Sequence, residues 1–373
     1  MSVLIRAPYT DLHAVALKWA LLSQGQNCHI WDASEFPSRM HSSTRITNSD
    51  DAPLISHSAS GSVISFKEFE TIWNRRNASM SHVSNLSSGD LRYADAEARL
   101  YLKSLHMLAS KSAVWVNDPT SQWVADHKLL QLDVARKCGL TIPETLASNS
   151  PLEAREFVKE FGPYVVFKPF EIGMWGNADP ASSRFVSYAA KLDISDLADD
   201  ISIIASPGIY QECIDKAYDV RVVVAGQSYL AASISACGSG EYGVDWRAAP
   251  TAIVERIELD KSIFEKIVDL MTDLGLLTAS IDFVVDKKGD FYFLELNESG
   301  QFLFLEEASK NLPTLRFFSA FLRSPSKNFR WHEAAETAVD ISLPNFYASP
   351  EFSDYQEVLQ RFDKPVGRPL LQD

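Results

Sequence analysis

Ile281–Glu306, IDFVVDKKGDFYFLELNESGQFLFLE, is the stretch that decides the fold. Two apolar runs flank Lys287-Lys288-Gly289-Asp290, where glycine and aspartate favour a turn. The pattern predicts a β-hairpin with a two- or four-residue loop centred on Lys288-Gly289, which sets Asp282 opposite Glu295. Side chains alternate faces along a strand, so Glu295 and Asn297 point one way and Leu294 and Leu296 the other. Carboxylates that face each other across a strand pair repel. Two carboxylates and an amide oxygen on rigid strands are the donors a hard cation such as Mg2+ takes, above all when it is shared with a nucleotide phosphate. Asp282, Glu295 and Asn297 are therefore the candidate metal ligands of a metal–ATP site.

Outward from the hairpin, Ser262–Leu274 reads as a helix, with Ile263, Ile267, Leu270 and Leu274 on one face. Ile209–Cys213, Asp219–Ala225 and Ser228–Ala236 read as antiparallel strands. Before them come a helix over Ala125–Cys138 ended by Gly139, a strand entered at Ile142–Thr145, a helix near Leu152–Phe161 and a buried strand at Tyr164–Lys168. A loop containing Gly173, Gly176 and Pro180 follows, and Gly173–Ser183 is the candidate lid. The beginning of the chain has another texture. Val3–Ile5 reads as a strand, Asp11 caps a helix that runs to Ser23 and stops at Gly25, and Cys28–Trp31 makes a second strand. Strand–helix–strand begins a parallel α/β layer. Gly61–Phe66, Thr71–Arg75 and Val114–Val116 read as further strands, Ser81–Asp90 as a loop and Ala94–Ser110 as a helix. After Pro325 only a helical piece over Glu333–Val339 stands out.

The 373 residues exceed one ordinary core. A net charge of −14 argues against nucleic acid or an anionic membrane surface as partner. Cys28, Cys138, Cys213 and Cys237 show no metal-ligand spacing and suit a reducing cytoplasm. The apolar stretch near Leu12–Leu22 is interrupted by His13 and Lys18, and no run reaches membrane-spanning length. A cytoplasmic location is expected. No nucleophile has a recognisable base at motif spacing, so Ser-His-Asp or Cys-His catalysis has no support.

The order of short motifs carries a resemblance. Lys128 precedes Gly139-Leu140-Thr141-Ile142-Pro143-Glu144-Thr145; Lys168 closes Val-Val-Phe-Lys-Pro; Gln211–Ile214 reads Gln-Glu-Cys-Ile; Asp219–Val224 reads Asp-Val-Arg-Val-Val-Val; and the Asp282…Glu295-Leu296-Asn297 hairpin comes last. Over roughly residues 120–322 this resembles the ATP-grasp superfamily, which includes glutathione synthetase and the ligases that add glutamate to a ribosomal protein. Phe293–Phe302 and Ile72–Arg76 (Ile-Trp-Asn-Arg-Arg) further resemble the maturases that cross-link ribosomal peptides of the microviridin or graspetide type. Their hairpin commonly reads Leu-Glu-x-Asn-Pro-x-Gly-Gln-Trp, and here Glu298 replaces the proline and Phe302 the tryptophan.

The resemblance implies an α/β protein with α+β character in the ATP-grasp part, behind an N-terminal open α/β pre-ATP-grasp domain. The expected units are 1–120, two ATP-grasp subdomains at 121–207 and 208–325, and an extension of unknown role at 326–373. It implies Lys128 and Lys168 on the ATP phosphates, Gln211, Glu212, Cys213 and Ile214 as the linker against adenine, and Asp215 near the ribose. Arg221 and Arg247 would lie by the γ-phosphate or the acyl phosphate. Read from the residues themselves, Arg75 and Arg76 of the first domain are candidates to hold a substrate carboxylate or, alternatively, to cap the sheet. The implied reaction uses ATP and Mg2+ to convert a carboxylate to an acyl phosphate, which an amine or hydroxyl then attacks. The substrate is a precursor peptide or, alternatively, a small carboxylate and amine. A nucleotide-binding module without ligation is a third reading, and a homodimer is a candidate assembly.

Overall fold

The computed structural model describes residues 2–48, 54–57, 63–76, 80–109, 113–171, 174–175, 185–186, 189–236, 252–333 and 339–361. The opening strand Ser2–Arg6 pairs in parallel with Asn27–Trp31 on one side and Thr71–Asn74 on the other, and Val114–Val116 lies beyond the latter. The chain thus leaves its first strand in both directions, and the carboxyl ends of Ser2–Arg6 and Thr71–Asn74 open side by side. Asp11 caps the helix Leu12–Ser23 by accepting from the Ala14 N–H at 2.9 Å, and Gly25 follows it with φ 73°. This is the expected parallel layer. Two features depart from expectation. His41–Thr44 and Leu54–His57 form, with Val63–Ser65, a small antiparallel sheet. The helix Ser88–Ala109 also begins inside the segment read as a loop, where Ser87 Oγ accepts from the Asp90 N–H at 3.2 Å. Serine-rich composition marked a helix start there.

A four-stranded antiparallel sheet follows, ordered Ala190–Leu192, Val165–Lys168, Gly208–Glu212, Thr145–Ser148. Val165, Phe167 and Tyr210 pack with Ala154 and Val158 of the helix Pro151–Phe161. By alternation Val166, Lys168, Ile209 and Gln211 share the opposite face. The segment Cys213–Asp215 then crosses into a five-stranded antiparallel sheet, ordered Ala252–Ile257, Ser228–Ala236, Lys216–Ala225, Thr278–Asp286, Phe291–Asn297. The helix Lys261–Asp273 covers one face of that sheet with Ile267 and Leu270, both fully buried. Each contributes about 1.5–3 kcal/mol by leaving water. The single helix expected over Ala125–Cys138 is two, Pro119–Ala125 and Lys128–Lys137, broken at Asp126-His127.

The hairpin reaches the expected pairing by another route. Its loop has three residues, Lys287–Gly289, closed by the Asp286 N–H to Asp290 C=O bond at 3.0 Å, with Gly289 at φ 92°. Continued regularly, that register would face Asp282 with Leu294. A bulge at Leu294 adds one residue, and Asp282 pairs with Glu295 after all.

One apolar core joins the first sheet to the five-stranded sheet: Val3, Ile5 and Leu17 share it with Val223, Ala232, Phe317 and Phe321. The C-terminal helices Leu343–Tyr347 and Pro350–Arg361 fold back onto Leu12–Ser23. Phe346 is fully buried with its ring 5.7 Å from that of Trp19, and Tyr355 Oη donates to the Thr10 carbonyl at 3.2 Å. The helical piece read at Glu333–Val339 lies mostly outside the described residues, and Glu333 itself sits in a turn. Among the described residues no helix is long and apolar enough to cross a membrane.

Candidate active site

On the strand Lys216–Ala225, Val220, Val222 and Val224 turn toward the covering helix, so Arg221 turns to the other face. Register places Arg221 beside Asp282, and Asp282 beside Glu295. Arg221 Nη1 donates to both Asp282 carboxylate oxygens at 2.6 Å, and its Nη2 donates to the Gln301 carbonyl at 3.0 Å. Both partners of this ion pair are buried. Asn297 directs its amide at the same point: Nδ2 lies 3.4 Å from Glu295 and 3.5 Å from Asp282. A half-turn of that amide exchanges the donor for a neutral oxygen, giving three oxygen donors on one face. Among the described residues no group of three or more His, Cys, Asp or Glu could hold a metal ion. A cation here would therefore draw on Asp282, Glu295, the Asn297 amide and oxygens of a bound ligand. That mixed oxygen set fits Mg2+, which keeps few protein ligands.

Side chains without any periodic signal in the sequence tie the segment after the hairpin to the first sheet. Arg75 Nη1 donates to the Ser299 carbonyl. Gln122 Nε2 donates to Ser299 Oγ at 2.9 Å, and Asn117 Nδ2 donates to the Glu298 carbonyl at 3.2 Å. His13 Nε2 accepts from the Phe302 and Leu303 N–H groups at 3.0 and 3.2 Å. Burial, reinforced by Arg75, holds the His13 pKa well below its usual value, so the ring is neutral, as an accepting Nε2 requires. Burial works to raise the Asp11 pKa, but Arg75 and Arg76, with the Ala14 N–H, outweigh it and keep the carboxylate ionised. Asp11 lies 3.4 Å from Arg75 Nε and 3.6 Å from Arg76 Nε, a role beyond capping. Gln131 closes the open edge of the hairpin, accepting from the Leu296 N–H at 2.9 Å and donating to the Leu296 carbonyl at 2.8 Å.

Lys128 is the first residue of its helix and its Nζ donates to the Pro169 carbonyl at 2.6 Å, which brings it to the end of the strand that carries Lys168. Lys168 is half-buried on the face it shares with Gln211. Gln211 is buried and donates to Thr145 Oγ1 at 2.9 Å, while its Oε1 has no partner. Glu212 donates its N–H to the Glu144 carbonyl at 2.9 Å, and the Ile214 carbonyl accepts from the Lys216 N–H at 2.8 Å. Cys213, a half-buried free thiol, lies between them. These residues span the two antiparallel sheets. Asp215 stands apart from them, exposed and paired with Lys287 at 2.7 Å. Arg247 lies outside the described residues, as do Gly173, Gly176 and Pro180 of the candidate lid and Cys237.

No protein-family model matches the chain, and no curated protein matches it in sequence. Solved structures do match. Macrocyclase MdnC from Microcystis aeruginosa MRC, bound with the precursor peptide MdnA, superposes with a TM-score of 0.76 at 25% identity, over 87% of this chain and 99% of its own. A Chryseobacterium gregarium RiPP-associated ATP-grasp ligase in complex with ADP and a leader and core peptide gives 0.77 at 21% identity, over 89% and 99%. The ATP-grasp ligase PsnB, complexed with minimal precursor, Mg and ADP, gives 0.65 at 22% identity, over 87% and 96%. Two antiparallel sheets joined by a short linker, behind a parallel layer, give this chain the ATP-grasp fold, in the form shared by those peptide macrocyclases and RiPP-associated ligases.

Proposed function

We propose that this protein is an ATP-dependent ligase that joins side chains of a ribosomally made precursor peptide through ester or amide bonds. The observation that carries the reading is the face on which Arg221, Asp282, Glu295 and Asn297 converge, in a chain whose fold is that of peptide-bound ATP-grasp ligases. ATP is spent to phosphorylate a carboxylate of the peptide, and an amine or hydroxyl of the same peptide displaces phosphate from the acyl phosphate. Lys128 and Lys168 bind the polyphosphate, and the Gln211–Ile214 backbone borders the adenine. Asp282, Glu295 and Asn297 would hold Mg2+, which when bound would neutralise phosphate charge. Arg221 and Arg247 would serve the phosphoryl group in transfer, where a positive charge stabilises the transition state most. Asp215, at the exposed rim, has the weakest claim among these. Residues 1–120, 121–207 and 208–325 form the three working units of this reading. Beyond them, the helices Leu343–Tyr347 and Pro350–Arg361 brace the first helix.

The test is incubation of the full chain with ATP, Mg2+ and candidate short peptides rich in Asp/Glu and Thr/Ser/Lys. Release of ADP with loss of one water mass per linkage supports cross-linking. Hydroxylamine should intercept the acyl phosphate as a hydroxamate. ADP release without any change in peptide mass or trapped hydroxamate rejects the reading.

A further inference from the structure

We propose that the crevice at the carboxyl ends of the first sheet anchors an acidic side chain of the peptide other than the one being activated. This rests on the reading of the chain as a peptide ligase and adds a second recognition point to it. Open parallel sheets bind ligands where neighbouring strands depart in opposite directions, outside their carboxyl ends. Here that place lies between Arg6 and Asn74-Arg75, and a cavity of about 810 Å³ opens there. Its wall includes six cationic side chains, Arg6, Arg75, Arg76, Arg92, Arg99 and Lys103, against the three acidic ones Asp95, Asp126 and Glu298, in a chain that is strongly acidic overall.

Arg75 Nη2 and His106 Nε2 are among the buried polar atoms of the wall without a hydrogen-bond partner. Arg75 is 1% exposed, and while Nη1 serves Ser299 and Nε faces Asp11, its Nη2 has none. His106, 5% exposed and kept neutral by burial and by Arg6, has no partner at Nε2. A buried donor of a charged group left unpaired is costly, so a site of this kind is completed by an anion. Asp11 does not complete it, because its carboxylate is divided between Arg75 and Arg76.

The anion is a carboxylate rather than a phosphate. A guanidinium takes either, but Asp95, Asp126 and Glu298 on the same wall repel a dianion more than a monoanion. The Glu298–Gln301 segment stands between this crevice and the Arg221–Asp282 pair, with Arg75 holding Ser299 from one side and Arg221 holding Gln301 from the other. A carboxylate seated at Arg75 is therefore separated from the metal-ligand face, and it anchors the peptide without reacting.

The test uses the full chain with Mg2+ and ADP bound, titrated with N-acetylglutamate α-amide and followed by saturation-transfer NMR. The uncharged N-acetylglutamine α-amide and inorganic phosphate serve as comparison probes. Saturable binding of the glutamyl probe alone is expected, weakened about tenfold by Arg75→Gln, the loss of one charge-assisted hydrogen bond. ADP binding is read in the same sample, so an intact nucleotide site separates this proposal from the ligase reading. Should Arg75→Gln fail to bind ADP, the half-exposed Arg76→Gln replaces it, with a several-fold weakening expected. No saturable binding by the wild type, equal binding of the glutamine probe, preference for phosphate, or equal affinity in the folded variant each overturns the proposal.

Discussion

Arg221 and Asp282 hold each other in a buried pair, and the Asn297 amide lies 3.4 Å from Glu295. Asp282→Asn leaves a buried guanidinium without its counter-ion, which costs about 3–5 kcal/mol. Glu295→Gln removes a carboxylate from the same face and should lower ADP release on the order of a hundredfold or more. Near-normal turnover in Glu295→Gln would remove it from the ligand set. His13 supplies a third residue-scale expectation. Its folded pKa is depressed, so below about pH 6.5 the unfolded chain takes up a proton that the folded ring refuses. Stability from this site is thus complete above the unfolded pKa and falls as pH drops below it, by at most about 1.4 kcal/mol per pH unit. Half-buried Glu298 and buried Glu306 have pKa values raised by desolvation and act in the opposite sense, losing their contribution as pH climbs from their usual range. The difference between wild type and His13→Gln, which keeps an acceptor but not the titration, isolates the histidine. Urea midpoints at pH 7.5 and 5.5 should differ more in the wild type than in the variant.

At the scale of elements, the hairpin was legible because three signals agreed: apolar alternation, a glycine at the turn and paired acids near its open end. Its inner register was not, since a bulge at Leu294 compensates a three-residue loop and neither leaves a periodic mark. Asn117, Gln122 and Gln131 were illegible for another reason. They bond to groups more than forty residues away, a relation that only folding creates. Gly300 shows how tightly the clamped segment is fitted. A Cβ there would stand 2.7 Å from Ser280 Oγ, closer still to Ser280 Cβ, and 3.2 Å from Asn297 Cβ. Gly300→Ala should destabilise by about 1–3 kcal/mol and disturb the Asn297 amide at the same time. Ser280→Gly in the same chain removes the clashing atoms and should recover most of both losses. If the double variant is no better than Gly300→Ala alone, steric fit is not the reason for glycine at this position.

The molecule as a whole depends on how its first layer is fastened to its last segment. The tail had no reading beyond one helical piece, because its meaning lies in what it covers. Ile341, Leu343 and Phe346 complete the core shared by the first helix and the five-stranded sheet. Glu306 secures the join: its Oε1 accepts from the Leu343 N–H at 2.8 Å and its Oε2 from the Leu315 N–H at 2.8 Å. Arg75 and His13, which fasten the segment following Phe291–Asn297, and Asp11, which pairs with Arg75, lie on or beside the elements that this core supports. Loosening the tail should therefore reach the nucleotide site through the first helix. Phe346→Ala removes a fully buried ring packed on Trp19, at a cost of about 3–5 kcal/mol. The loss should appear as a lower urea midpoint together with weaker ADP binding, although the ring touches none of the proposed nucleotide ligands. Deletion of residues 339–373 should do the same more severely, exposing Trp19 to solvent quenchers. A deletion variant that kept the wild-type midpoint and affinity would mean that the first helix holds the loop unaided.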